Sequence, residues 1–140
     1  PEGLRRRQRK VGFTDDLAGV APDSWGGGIE QVTLAGMPKV QETVFHHPQS
    51  GTLIVADLVF NYLQPQTLTR GTRLLLSMTG ANGRMAVSRL FRFMIKDREA
   101  FSRSLDNVLA WDFERLIVGH GEIAGDGHRQ LAEATKFVHT

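Results

Sequence analysis

The apolar residues of the chain fall into two registers. Ile29, Val32 and Leu34 open a short run that Gly36-Met37-Pro38 closes as a turn, which predicts a first strand. Residues 40–46 alternate, imperfectly, between apolar and polar positions. Pro48, Ser50 and Gly51 bound them, so a second strand and a tight connection are expected. Residues 52–56 are continuously apolar, the pattern of a strand covered on both faces. The linker His47-Pro48-Gln49-Ser50-Gly51 makes the two runs a candidate hairpin.

Further along, the period lengthens. Val87, Leu90, Phe91 and Met94 recur at helical spacing within residues 84–95. Behind Asp97, a suitable N-cap, Phe101, Leu105, Val108 and Leu109 form an i, i+4, i+7, i+8 stripe. Residues 113–118 predict a last strand that ends at Gly119-His120-Gly121. Asp126 then caps a final helix reaching Val138, with Leu131, Ala134, Thr135 and Val138 on its inner side. Residues 1–10 read as a short helix, and residues 14–28 as a loop anchored by Phe13, Leu17 and Trp25. Residues 65–83 read as a loop with a short helical turn. The sum is an α/β chain with one domain over residues 1–140, in which residues 1–28 form a helix and loop lead-in.

Composition narrows the function classes. The absence of cysteine excludes disulfides, thiolate metal sites and a cysteine nucleophile, and it fits the cytoplasmic location expected of the chain. The best apolar run, residues 52–63, is broken by Asp57 and Asn61 and is too short to span a bilayer, so no membrane partner is expected. Arg5, Arg6, Arg7, Arg9 and Lys10 against Glu2 give residues 1–10 a charge of +4, leaving −2 for the rest of a chain of net charge +2. With no interleaved aromatics and a body that is not basic, this cluster reads as a solvated helix, and a nucleic-acid partner is not expected.

Two residues stand out chemically. Asp57 interrupts apolar residues on both sides, where a buried carboxylate costs several kcal/mol unless it is paired, hydrogen-bonded or bound to a cation. The plain alternative is that it caps a turn or accepts backbone N–H groups. His120 follows Leu116-Ile117-Val118 and sits between two glycines, where a backbone can approach a ligand closely. Ligand sites in α/β sheets gather outside the carboxyl ends of strands. Around this pair, His46, His47 and Glu122 are candidates for orienting contacts. His46 and His47 are adjacent in a strand, so at most one of them faces any given site, and at a hairpin end both are expected to be exposed. His128 and His139 read as solvated.

Glu42-x-x-Phe45, Asp57-Leu58-x-Phe60-Asn61 and Gly119-His120-Gly121 resemble motifs of the metallo-β-lactamase-like superfamily, in particular an uncharacterised branch, DUF4336. The resemblance covers nearly the whole chain as the C-terminal portion of that fold. It implies a truncated metallo-β-lactamase-like fold, a β-sheet with helices packed on one face. It also implies that Asp57 matches the bridging aspartate and His120 the last histidine ligand. Two departures accompany it. The family's His-x-His-x-Asp-His cluster falls before the region matching residue 1, and Met37 stands where a further histidine ligand belongs. Two carried-over ligands fall short of the three or four protein donors of a zinc site.

The expectation is therefore a non-catalytic remnant of such a hydrolase, with no cofactor of its own, acting as a homodimeric binding or structural module. The alternative is a metal-dependent hydrolase whose zinc or iron site is completed by a second subunit or by a missing N-terminal segment. A third reading is that the chain is a piece of a longer gene product.

Overall fold

The computed structural model describes residue 17, residues 21–62, residue 71 and residues 83–139. The expected first helix and the loop at residues 65–82 lie outside these, apart from residue 71.

The hairpin forms as the alternation predicts. β1 (Glu30–Thr33) pairs antiparallel with β2 (Thr43–His47), Val32 opposite Val44. A 3₁₀ turn over Pro48–Ser50 and Gly51 then hands β2 to β3 (Thr52–Asn61), with His46 opposite Leu53. β3 is the spine of the sheet. On one edge it meets β2 along its first half and β4 (Met85–Ala86) at Phe60 and Asn61. On the other edge it runs parallel to β5 (Arg115–Gly121), Leu53 beside Leu116 and Val55 beside Val118. The result is a mixed sheet of five strands.

Three helices accompany the sheet among the described residues: α1 (Arg89–Met94), α2 (Arg98–Leu109) and α3 (Gly127–Thr135). The Asp97 side chain caps α2 by accepting the Ala100 N–H at 2.9 Å, as its position predicts. The helix expected over residues 84–95 is shorter than its apolar spacing suggests. Met85 and Ala86 pair with the end of β3 instead, and Ser88 caps α1 by accepting the Phe91 N–H at 3.1 Å. At α3 the expected cap differs. The Asp126 carboxylate binds the side chains of Arg129 and Gln130 and caps no backbone N–H, and a 3₁₀ turn over Lys136–Val138 completes the segment.

One face of the sheet carries Val44, Leu53 and Leu116, which share a core with Phe91, Phe101, Leu105, Val108 and Leu131 of the helices. Each large side chain buried here is worth about 1.5–3 kcal/mol. The opposite face is more open among the described residues: Ile54 is 39% exposed, Phe45 and Ile117 are half-buried, and Trp25 tilts against Phe45. No described helix is long and apolar enough to cross a membrane. The fold is thus α/β.

Candidate functional site

The site grows out of an irregularity in β3. Val55 pairs with Val118 and Phe60 with His120, so residues 56–59 bulge against the single residue Gly119. Bulges re-aim the groups they carry. Here the N–H groups of Ala56, Asp57 and Leu58 converge on the carboxylate of Glu42. Oε1 accepts from Ala56 at 2.9 Å, from Asp57 at 3.1 Å and from Leu58 at 3.2 Å, and Oε2 accepts from Asp57 at 3.3 Å. Glu42 is almost wholly buried. Burial raises its pKa, the three donors pull it down, and the negative charge of Asp57 raises it again; the balance lies above the ordinary glutamate range.

The same bulge delivers Asp57. Its carboxylate points outward, and Oδ1 lies 3.2 Å from His120 Nε2 with both side chains about half exposed. The His120 ring lies flat on Phe60, ring centroids 5.0 Å apart and planes 5° from parallel. The buried carboxylate of this region is therefore Glu42, and the penalty expected at Asp57 does not arise. The alternation that buries Glu42, Val44 and His46 on one face of the chain entering and forming β2 is the signal that marks Glu42.

Two glycines fix the position of His120. A Cβ on Gly119 would stand 2.6 Å from the Ala56 carbonyl oxygen. Gly121 has φ +120°, and a Cβ there would stand 2.1 Å from the Asn61 carbonyl oxygen. Only residues without a side chain let β5 press this closely against the bulge. Gly119-His120-Gly121 is consequently part of the strand, where the sequence predicts a loop after Val118. Asn61 locks the next step. Its Nδ2 donates to the Glu122 carbonyl at 2.7 Å, and its own carbonyl accepts the Glu122 N–H at 2.7 Å. Asn61 Oδ1 is buried with no hydrogen-bond partner among the described residues.

The other candidates go elsewhere. Glu122 engages through its backbone, and its exposed carboxylate forms no hydrogen bond or ion pair among the described residues. His46 is buried at the opposite end of β3 from the bulge, beside Leu53. Its Nδ1 is 2.7 Å from Glu30 Oε2, its Nε2 is 3.1 Å from the Asp112 carbonyl oxygen, and its ring stacks on Trp111 at 5.2 Å. The exposure usual for hairpin-end histidines fails here because the alternation turns His46 inward. His47 bonds Ser50 Oγ at 2.7 Å. His128, expected in solvent, is half-buried with Nε2 2.8 Å from the Leu109 carbonyl oxygen. His139 is exposed near Ser102 and Asp106.

Asp57 Oδ1 and His120 Nε2 are in direct ion-pair contact. Two ligands each ~2.0–2.2 Å from a tetrahedral zinc ion stand roughly 3.3 Å apart, and Oδ1 and Nε2 are 3.2 Å apart. Among the described residues no group of three or more His, Asp or Glu side chains is placed to hold a metal ion. A zinc site needs three or four protein donors, which the described residues do not bring together here. No family model matches the chain, and no curated protein matches it.

Proposed function

We propose that this chain is a degenerate metallo-β-lactamase-like domain acting as a homo-oligomeric binding module, with Asp57 and His120 as the remnant of a metal site. The observation that carries the reading is the pair itself. Two donors of the ligand types the resemblance implies are held 3.2 Å apart at the end of β5 by the bulge in β3, and the described residues offer them no third partner. Self-association would cover the open sheet face around Phe45, Ile54 and Ile117.

The test is elemental analysis of the untagged protein together with its mass by light scattering. A metal-free dimer agrees with this reading, and a stable monomer overturns its oligomeric half.

A second reading draws on the donor spacing, which suits a shared ion. It is a metal-dependent hydrolase whose zinc or iron is completed by donors from another chain or segment. About one metal ion per chain, lost in both Asp57→Ala and His120→Ala, would favour this reading over the first.

A further inference from the structure

We propose that a cavity between α1, β4 and α3 binds a small organic phosphate, at a place separate from Asp57 and His120. The cavity measures about 520 Å³, within the ~300–1,000 Å³ typical of small-molecule sites. Its floor is apolar, formed by Met85, Ala86, Ala134 and Phe137, and its rim carries Arg84, Arg92, Arg129 and Lys136 against one carboxylate, Glu133.

The rim charges are not equivalent. Arg129 is paired with Asp126, and Lys136 with Glu133. Arg84 and Arg92 form no ion pair among the described residues, and both are exposed to an incoming ligand. The Arg92 guanidinium carbon sits 3.9 Å above the centre of the Phe137 ring, which fixes the cation at the edge of the apolar floor. Partial burial, then the charges of Arg84 and Arg89, hold Arg92 below the ordinary arginine range.

Two guanidinium groups with no acidic partner among the described residues call for a dianion. A phosphate monoester carries about −1.5 to −2 at neutral pH and offers the oxygens that arginine forks match, whereas a carboxylate carries one charge. The apolar floor calls for an organic body on that phosphate. Neither inorganic phosphate nor a neutral aromatic satisfies both halves of the cavity.

Calorimetric titration of the full chain at low salt with naphthyl phosphate tests this, with naphthol, naphthoate and inorganic phosphate as partial ligands. Saturable binding of naphthyl phosphate is expected, about tenfold or more tighter than any partial ligand. Arg84→Gln and Arg92→Gln should each weaken it about tenfold, while Arg103→Gln, which removes a charge paired with Glu99 on α2, should leave it unchanged. Arg84 is exposed, so Arg84→Gln is expected to keep the fold, which far-UV circular dichroism checks. Absence of saturation, undiminished binding by the Arg84 and Arg92 variants, or equal weakening by Arg103→Gln would overturn the proposal. So would stronger binding of a single-stranded oligonucleotide, weakened equally by all three arginine variants, because it would assign the charge to a diffuse nucleic-acid surface.

Discussion

Glu42 reaches across to the bulge of β3, where its carboxylate accepts the backbone N–H of Asp57 through both oxygens, at 3.1 and 3.3 Å. The two acids thus divide the labour. Glu42 is buried and shapes the backbone, and Asp57, held by that backbone, presents its carboxylate to His120.

Removing the buried acid should be costly. Glu42→Ala strands the N–H groups of Ala56, Asp57 and Leu58 and leaves a cavity, for an expected loss of about 2–4 kcal/mol in denaturant unfolding. A loss below about 1 kcal/mol would mean that the bulge holds its shape without the carboxylate.

The same residue sets a pH dependence. Its folded pKa lies above the ordinary value of about 4.3, so the folded state takes up the proton more readily than the unfolded chain. The stabilisation linked to that proton is complete below the unfolded pKa and is lost as pH rises through the folded value. Relative to Glu42→Gln, which does not titrate, the parent should therefore be most favoured in acid and lose ground as pH climbs through that window. A parent that gains on Glu42→Gln with rising pH would reverse the assignment, and urea melts of both proteins across the range decide it.

Asp57 and His120 should behave differently from Glu42. Both side chains are about half exposed, and ion pairs of that kind are worth about 0–1 kcal/mol. Asp57→Asn and His120→Gln should therefore melt within a few degrees of the parent. A large drop in either would show that the pair supports the fold.

Gly121→Ala should rank among the most damaging substitutions in the chain. The new Cβ would collide with the Asn61 carbonyl oxygen at a φ that L residues rarely adopt, and a cost of about 3 kcal/mol or more is expected. The shift should also separate His120 from Asp57, which the His120 side-chain resonances would report.

His46→Ala loses contacts to Glu30 and the Asp112 carbonyl, together with the stack on Trp111. A loss of about 2–3 kcal/mol is expected, with no change at His120. A perturbed His120 would instead tie the two ends of β3 together.

Much of this architecture was legible because local pattern and tertiary fold agree. The hairpin at Pro48–Ser50, the α2 stripe behind Asp97 and the strand leading to His120 all carry their own period and punctuation. What escaped was set by partners distant in sequence. Nothing near Asp57 announces that residues 56–59 bulge, because the bulge exists only against Gly119 and around Glu42. Likewise, Met85 and Ala86 join the sheet because Phe60 and Asn61 offer them an edge, overriding the helical spacing that includes Val87. The pairing of Asp57 with His120 was foreshadowed by their shared residue types at strand ends. The burial of His46 ran against the exposure expected of a hairpin-end histidine, because the alternation of β2 turns its side chain into the core.

The parallel pairing of β3 with β5 also dictates an order of events. The β2–β3 hairpin closes over a single short turn, whereas Thr52 finds Arg115 only after everything between them has been laid down. Loop-closure entropy makes the distant pairing the slower step. During synthesis, Leu53, Ile54 and Val55 therefore wait with one edge unsatisfied until residues 115–121 have emerged. That interval, rather than the finished protein, is where this chain is most exposed to pairing with a neighbour.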